Sequence, residues 1–440
     1  MRSIFTLLVI FFFFVLAIKS SYVAMLMYWW FSIFRPQDWM YWDVSFLRLP
    51  LVVTAFFLLR SLIVDGMPKI SGILLWLMLI WIGLAGLATL LNGCQSYFGS
   101  GFMRFFLIIL CAILTERLLT TERRIYGLML LVTFSLGIYG ANQGIGTILS
   151  GGGTSYGISN LTGTFTGSNA YALGLAMIIL FFPFLCTQSK IFFDRKVLMF
   201  NLNTPKANKL FLLLCGVSMV GCIYCVISLF SRGSALALAL GFLCFIILLK
   251  GTFKYLVWAT IAGMIGLAVL PIPQGYVDRI ESIFAEEDER DNSAKSRPHF
   301  WGVASNMVAD NPSGVGLGCY PSYYDQYDDS YGEFGSARSV HSSHFQVLAE
   351  VGYVGFVLWL LMFFVSFKKL HRIRRESRDK EDRVFFLHLA YGLTCSQVVF
   401  LVGGAFYEFA HNEFTWLTFA IVVATEKLFL KKHGERSHAK

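Results

Sequence analysis

Charge is what this sequence has least of. Asp, Glu, Lys and Arg make up 14% of its 440 residues, where a soluble domain averages about 25%. Several stretches of about 20 residues carry no charge, enough to cross ~30 Å of hydrocarbon. Apolar residues reach 56% and mean hydropathy is +0.63. Short segments of alternating polarity are missing as well, which excludes a transmembrane barrel. The chain reads as an all-α polytopic membrane protein.

Other absences narrow the class. No basic stripe with interleaved aromatics is present, so the net charge of +9 is not a nucleic-acid footprint. Lys and Arg gather instead in short loops between spans, as the positive-inside rule expects. The nine cysteines form no disulfide framework. Cys111, Cys215, Cys222, Cys225, Cys244 and Cys395 lie in apolar runs and read as small buried hydrophobes. Cys94 and Cys319 fall in loops, and a pairing between them stays open. No small-residue cleavage site follows the first apolar run, which argues against a removed signal peptide. No repeat of 20–50 residues is visible. The glycine-rich stretch after Gly151 has no Walker lysine and no strand-turn-helix context, so it reads as a loop and not a phosphate cradle.

What is present is a succession of apolar spans near 48–64, 70–91, 102–119, 124–143, 168–187, 208–229, 232–249, 253–271, 343–367, 384–405 and 413–430. Residues 3–35 are either one kinked helix, giving twelve spans with Arg2 inside, or a hairpin, giving thirteen. The twelve-span count is the expectation. The division is residues 1–271 as N-terminal spans, 272–342 as one long polar loop containing helices, and 343–440 as C-terminal spans with a basic tail. Loops 187–209 and 368–383 and the tail are basic and belong in the cytoplasm. Alternation puts 272–342, with its cluster Glu286-Glu-Asp-Glu-Arg-Asp291, on the outer face. Arg104, Arg232 and loop 406–412 fall there too.

Isolated arginines on the outer face run against positive-inside physics. Arg104, Arg232 and Arg297 are three of them, and His341 opens the helix that follows the long loop. Each arginine alone reads as an interfacial or solvated charge. Together their guanidinium forks suit a phosphate, and a neutral imidazole at a helix start suits a general base. An outward-facing site for a phosphorylated, lipid-linked substrate is the reading. A His341/His344 zinc pair lacks a third ligand. Asp325, Asp328 and Asp329 read as a solvated acidic loop before a cation site. Glu350 reads as bonded to neighbouring helices, and Glu408 and His411 as facing the same outer cavity.

These motifs resemble the O-antigen ligase and polymerase superfamily. They are Ser231-Arg232-Gly233, Arg297 with Trp301 followed by Asn311-Pro-Ser-Gly-Val-Gly316, and His341-Ser-Ser-His-Phe-Gln-Val-Leu-Ala-Glu350. Gln143 to Gly152 and Gly163 to Ala170 are similar to its O-glycosylation ligase branch. The resemblance covers roughly residues 20–430. Many relatives carry Asn where this chain has Ser342, and an aromatic where it has His344.

The resemblance implies a C-type membrane glycosyltransferase (GT-C) fold in the bacterial inner membrane. It also implies glycan transfer from undecaprenyl diphosphate to lipid A-core at the periplasmic face, without metal or other cofactor, and the chain is expected to be a monomer among membrane lipids. His341, Arg232 and Arg297 are the expected catalytic residues. Arg104, Asn169, His344 and Arg338 are expected to bind the diphosphate, lipid donor or acceptor. An O-antigen polymerase and a protein O-oligosaccharyltransferase share the donor and remain alternatives. A lipid-linked glycan transporter would carry mid-membrane charges and inverted repeats, which are not seen.

Overall fold

The computed structural model describes residues 2–92, 101–152, 165–193, 196–197, 200–201, 204–250, 292–433 and scattered residues between 254 and 271. The acidic cluster at 286–291, Cys94, most of the glycine-rich connector, most of the expected span 253–271 and the last seven residues lie outside them. Helices dominate the described residues, and the strands among them are one small hairpin, β1 (Lys196–Val197) with β2 (Phe200–Asn201).

The chain begins with α1 (Arg2–Lys19) and α2 (Ser21–Ile33), parted at Ser20, whose backbone is extended. The rings of Phe13 and Trp30 lie 5.9 Å apart. Seventeen residues along one helix would separate them by about 25 Å. The Arg2 guanidinium sits 4.0 Å over the ring of Tyr41, beyond the far end of α2. Residues 3–35 are therefore a hairpin, not the single kinked helix expected, and Arg2 lies at the same end of the bundle as the loop after α2. The physical reason is aromatic packing across the turn, which repetitive apolar sequence does not announce.

Next come α3 (Leu49–Asp65), α4 (Ile73–Leu91), α5 (Met103–Leu118) and α6 (Glu122–Leu149). They are followed by α7 (Ser168–Ile179), α8 (Phe182–Thr187), α9 (Ser189–Phe193), α10 (Pro205–Ser228) and α11 (Arg232–Leu248). After the long loop's helices α12 (Asn292–Asp310) and α13 (Tyr320–Tyr327) come α14 (Ser343–Ser377), α15 (Val384–Gly403) and α16 (Glu413–His433). Among the described residues, eight helical stretches are long and apolar enough to cross a membrane. They are α1, α4, α6, α10, α14, Ser45–Asp65, Ser168–Thr187 and Glu381–Gly403, with α11 a shorter apolar helix. Between α6 and α10 the backbones touch: a Cβ on Gly144 would collide with the Gly221 carbonyl. Small residues permit such close approach where no hydrophobic force drives helices together.

A second apolar core lies apart from that of the bundle. Phe300, Met307, Tyr320, Tyr324 and Val340 are each 1% exposed or less. The loop between α11 and α14 thus folds as a small packed unit over residues 292–349 and holds its side chains in fixed places.

Candidate functional site

Helix α14 is broken where this unit meets the bundle. Gly352 has φ 76°, and its Cβ position is filled by Pro312 and Ser313 backbone, so only glycine fits. The break frees backbone groups that must find partners. Val315 N–H donates to the Ala349 carbonyl at 2.9 Å, Gly316 N–H to Glu350 at 3.0 Å, and Tyr353 N–H to Pro312 at 3.1 Å. The Asn311 to Gly316 motif is therefore a splice holding a bent helix. Leu317 N–H donates to Thr89 Oγ1 at 2.9 Å, and the Asn92 amide donates to the Gly314 carbonyl, tying the splice to the end of α4. The part of α14 before the break, starting at Ser343, packs Phe345 and Ala349 against the long-loop unit.

That first part is anchored at its start. Ser342 is the N-cap, its side chain accepting from Phe345 N–H. Asn is an equally good N-cap residue, so Ser in its place retains this function. Ser343, fully buried, donates from N–H to the Gly404 carbonyl at 2.6 Å and from Oγ to the Tyr407 carbonyl at 2.7 Å. Loop 404–412, between α15 and α16, is the hub. Gly233, one residue after Arg232, packs on Phe406. Phe165, just before α7, meets Phe409 edge to face at 5.7 Å, which brings the α7 start with its half-buried Asn169 to the same loop. Arg104 at the start of α5 lies 3.8 Å from Glu413 at the start of α16. It lines a separate cavity of about 360 Å³ with Arg35 and Met103.

His341 sits in the left-handed region at φ 51°, half-buried. Its N–H donates to Glu408 Oε1 at 3.0 Å. Its ring lies 5.7 Å from that of Phe300, and the Arg338 guanidinium lies 5.6 Å over the same Phe300 ring. Arg297 is on the same helix as Phe300, three residues earlier. It lies inside α12. Trp301, four residues after Arg297, stacks on Phe345 of α14 at 5.3 Å with planes 6° apart. Burial first, then the charges of Arg297 and Arg338, hold the His341 imidazole below the ordinary histidine range. An imidazole in this position stays neutral at pH 7 and can accept a proton.

Under His341 lies a polar cluster that the sequence hinted at only by position. Burial, and then Glu350, push the Glu408 carboxyl above the ordinary range, although the His341 N–H bond opposes the shift. His411 Nδ1 is 3.3 Å from Gln346 Nε2. Its Nε2 is 3.2 Å from Glu350 Oε2, at ion-pair distance though poorly aligned for a hydrogen bond. Glu350, 1% exposed, thus meets a side chain of loop 404–412 and not, as expected, a neighbouring helix.

Two expected roles look different in three dimensions. His344 turns to α15, with Nε2 2.8 Å from the Leu401 carbonyl and its ring edge-on to Phe400 at 6.5 Å. It takes a packing place suited to an aromatic, and its Nε2 is engaged away from any zinc pair with His341. The acidic residues of the long loop also divide. Asp325 accepts the Ala337 N–H at 2.8 Å, fixing the turn that carries Arg338. Asp328 and Asp329 instead flank His299, at 2.8 Å from Nε2 and 3.1 Å from Nδ1. These three residues could hold a metal by distance. Both ring nitrogens already face carboxylates, however, and Asp328 also accepts from Ser330 Oγ and from the Ser330 and Gly332 N–H groups. Those bonds hold its carboxyl at about 2. The imidazole occupies the place a cation would take, and the cluster builds the wall behind His341 through Phe334, 5.1 Å from His299.

The class defined by this fold and site is a polytopic helical membrane protein with a small packed unit capping one end of its bundle. Arg297, Arg338 and a neutral His341 meet within that unit. Residues 217–360 match the model of a family described as O-antigen ligase, and residues 1–187 that of a family of unknown function. The match over residues 217–360 supports the O-antigen ligase superfamily. No curated protein matches it. The family supports membrane glycosyl transfer of the ligase or polymerase type. Arg232, Arg297, Arg338, His341 and His344 fall inside the matched stretch, while Glu408 and His411 lie beyond it.

Proposed function

We propose that the chain is an O-antigen ligase, moving a glycan from undecaprenyl diphosphate to the lipid A-core oligosaccharide at the periplasmic face of the inner membrane. The observation carrying this reading is the placement of Arg297 and Arg338 against a neutral His341 within the folded cap. Twelve or more spans in a GT-C arrangement, with residues 272–342 as the lid, belong to the same proposal.

His341 takes the proton from the acceptor hydroxyl as its oxygen attacks the anomeric carbon. The bond from that carbon to the diphosphate oxygen breaks, and the diphosphate leaves with the bonding pair, inverting the centre. Arg297, Arg232 and Arg338 stabilise the departing charge. After burial, the charges of Arg297 and Arg338 weaken His341 as a base in the free enzyme. Donor diphosphate offsets them, so His341 becomes a stronger base once donor is seated. Protonation and charge are handled by side chains alone, without metal.

The test supplies purified protein with a lipid-diphosphate glycan and, in turn, lipid A-core, a second lipid-linked glycan, or a Ser/Thr peptide. Product on lipid A-core supports the ligase. Product only on the second or third acceptor replaces it with the polymerase or the protein transferase.

A further inference from the structure

At the end of the bundle opposite His341, a cavity of about 400 Å³ opens between the α3–α4 loop and the last turns of α5 and α16. Lys69, Arg117, Lys427 and Lys431 line it, with Glu116 as the one carboxylate. Four cations against one anion leave three positive charges. Lys427 Nζ neutralises buried Glu116 at 2.7 Å. The Arg117 guanidinium donates to the Gly66 carbonyl, which fixes its position at the rim. Lys69 and Lys431 are exposed and have no ion-pair partner among the described residues.

Basic residues at the ends of α5 and α16 suit the helix dipoles, which accounts for Arg117 and Lys431 individually. It does not account for Lys69, which comes from a loop to the same cavity. Ser71 and Thr120 add hydroxyl donors, and Met67 and Leu428 provide an apolar side. Charge, donors and an apolar flank at a bundle end match a lipid phosphate with its glycerol. The basic loops place this end in the cytoplasm, where anionic lipid attracts such clusters.

We propose that this cavity binds the phosphate of an anionic phospholipid headgroup in the cytoplasmic leaflet. The site is separate from glycosyl transfer and stands without it. The full-length protein in detergent is titrated with dioctanoyl phosphatidylglycerol, dioctanoyl phosphatidylcholine and inorganic phosphate, and binding is read by native mass spectrometry and thermal shift. Saturable binding of phosphatidylglycerol, with none of phosphatidylcholine, is expected. The pair Lys69→Gln/Lys431→Gln should weaken it by about tenfold. Lys190→Gln/Lys206→Gln removes equal charge from another basic loop and should leave it unchanged. Lys431→Gln alone serves if the pair does not purify. Equal loss in both pairs would assign the binding to diffuse charge and overturn the cavity. Equal binding of phosphatidylcholine, or full competition by inorganic phosphate at matched concentration, would overturn the lipid assignment.

Discussion

The backbone N–H of His341 donates to the carboxylate of Glu408 at 3.0 Å, across 67 residues of chain. Val340 N–H is directed at the same carboxylate. His341 holds a left-handed backbone that a non-glycine residue rarely adopts, and such a conformation persists only where its surroundings fix it. Glu408 is that fixture. Glu408→Ala is expected to lower kcat about 10- to 100-fold with little change in KM for the donor, as a misplaced catalytic group does. Glu408→Gln keeps an acceptor oxygen and should lose less. Steady-state kinetics on both variants decides this, and equal loss in the two would remove the backbone bond as the cause.

His341→Ala, Arg297→Ala and Arg232→Ala should each abolish glycan transfer while the protein still inserts and elutes as the wild type on size exclusion. Full transfer by any one purified variant removes that residue from the mechanism.

The pH profile carries a sign. In the proposed mechanism His341 acts only when neutral, so activity should fall as pH drops through its lowered pKa. The profile of kcat/KM reports free enzyme and that of kcat the complex. Donor diphosphate offsets Arg297 and Arg338, so the acid limb of kcat should lie at higher pH than that of kcat/KM. Arg338→Gln removes one of the charges lowering the pKa and should shift the kcat/KM limb upward. A limb unmoved by this change would separate Arg338 from His341.

Dialysis against EDTA should leave transfer unchanged, because His299 already fills the space between Asp328 and Asp329. Asp328→Asn should instead lower thermal stability, by about 1–3 kcal/mol for the donors left unmatched. Activity lost to EDTA and restored by a divalent ion would turn the cluster into a metal site.

Gly352→Ala places a methyl against Pro312 and Ser313 backbone at φ 76°. It should destabilise by about 1–3 kcal/mol from backbone strain alone, read as a lower melting temperature in detergent. A variant as stable as wild type would mean the splice does not require that break.

The sequence by itself determined the solvent and singled out the candidate residues. Long uncharged runs and few charges dictate a helical membrane protein, because composition and span length are local properties. Arg232, Arg297 and His341 stood out for the same reason, as charged or titratable groups that positive-inside physics does not explain. Only the tertiary structure decided how the hairpin turns at Ser20, that the Asn311 to Gly316 motif braces a broken helix, and that His344 faces α15. It also separated Asp325 from Asp328 and brought Glu408 beneath His341. Each of these depends on which residues meet across long stretches of chain. A hydrogen bond to a backbone N–H leaves no mark on the identity of the residue that donates it.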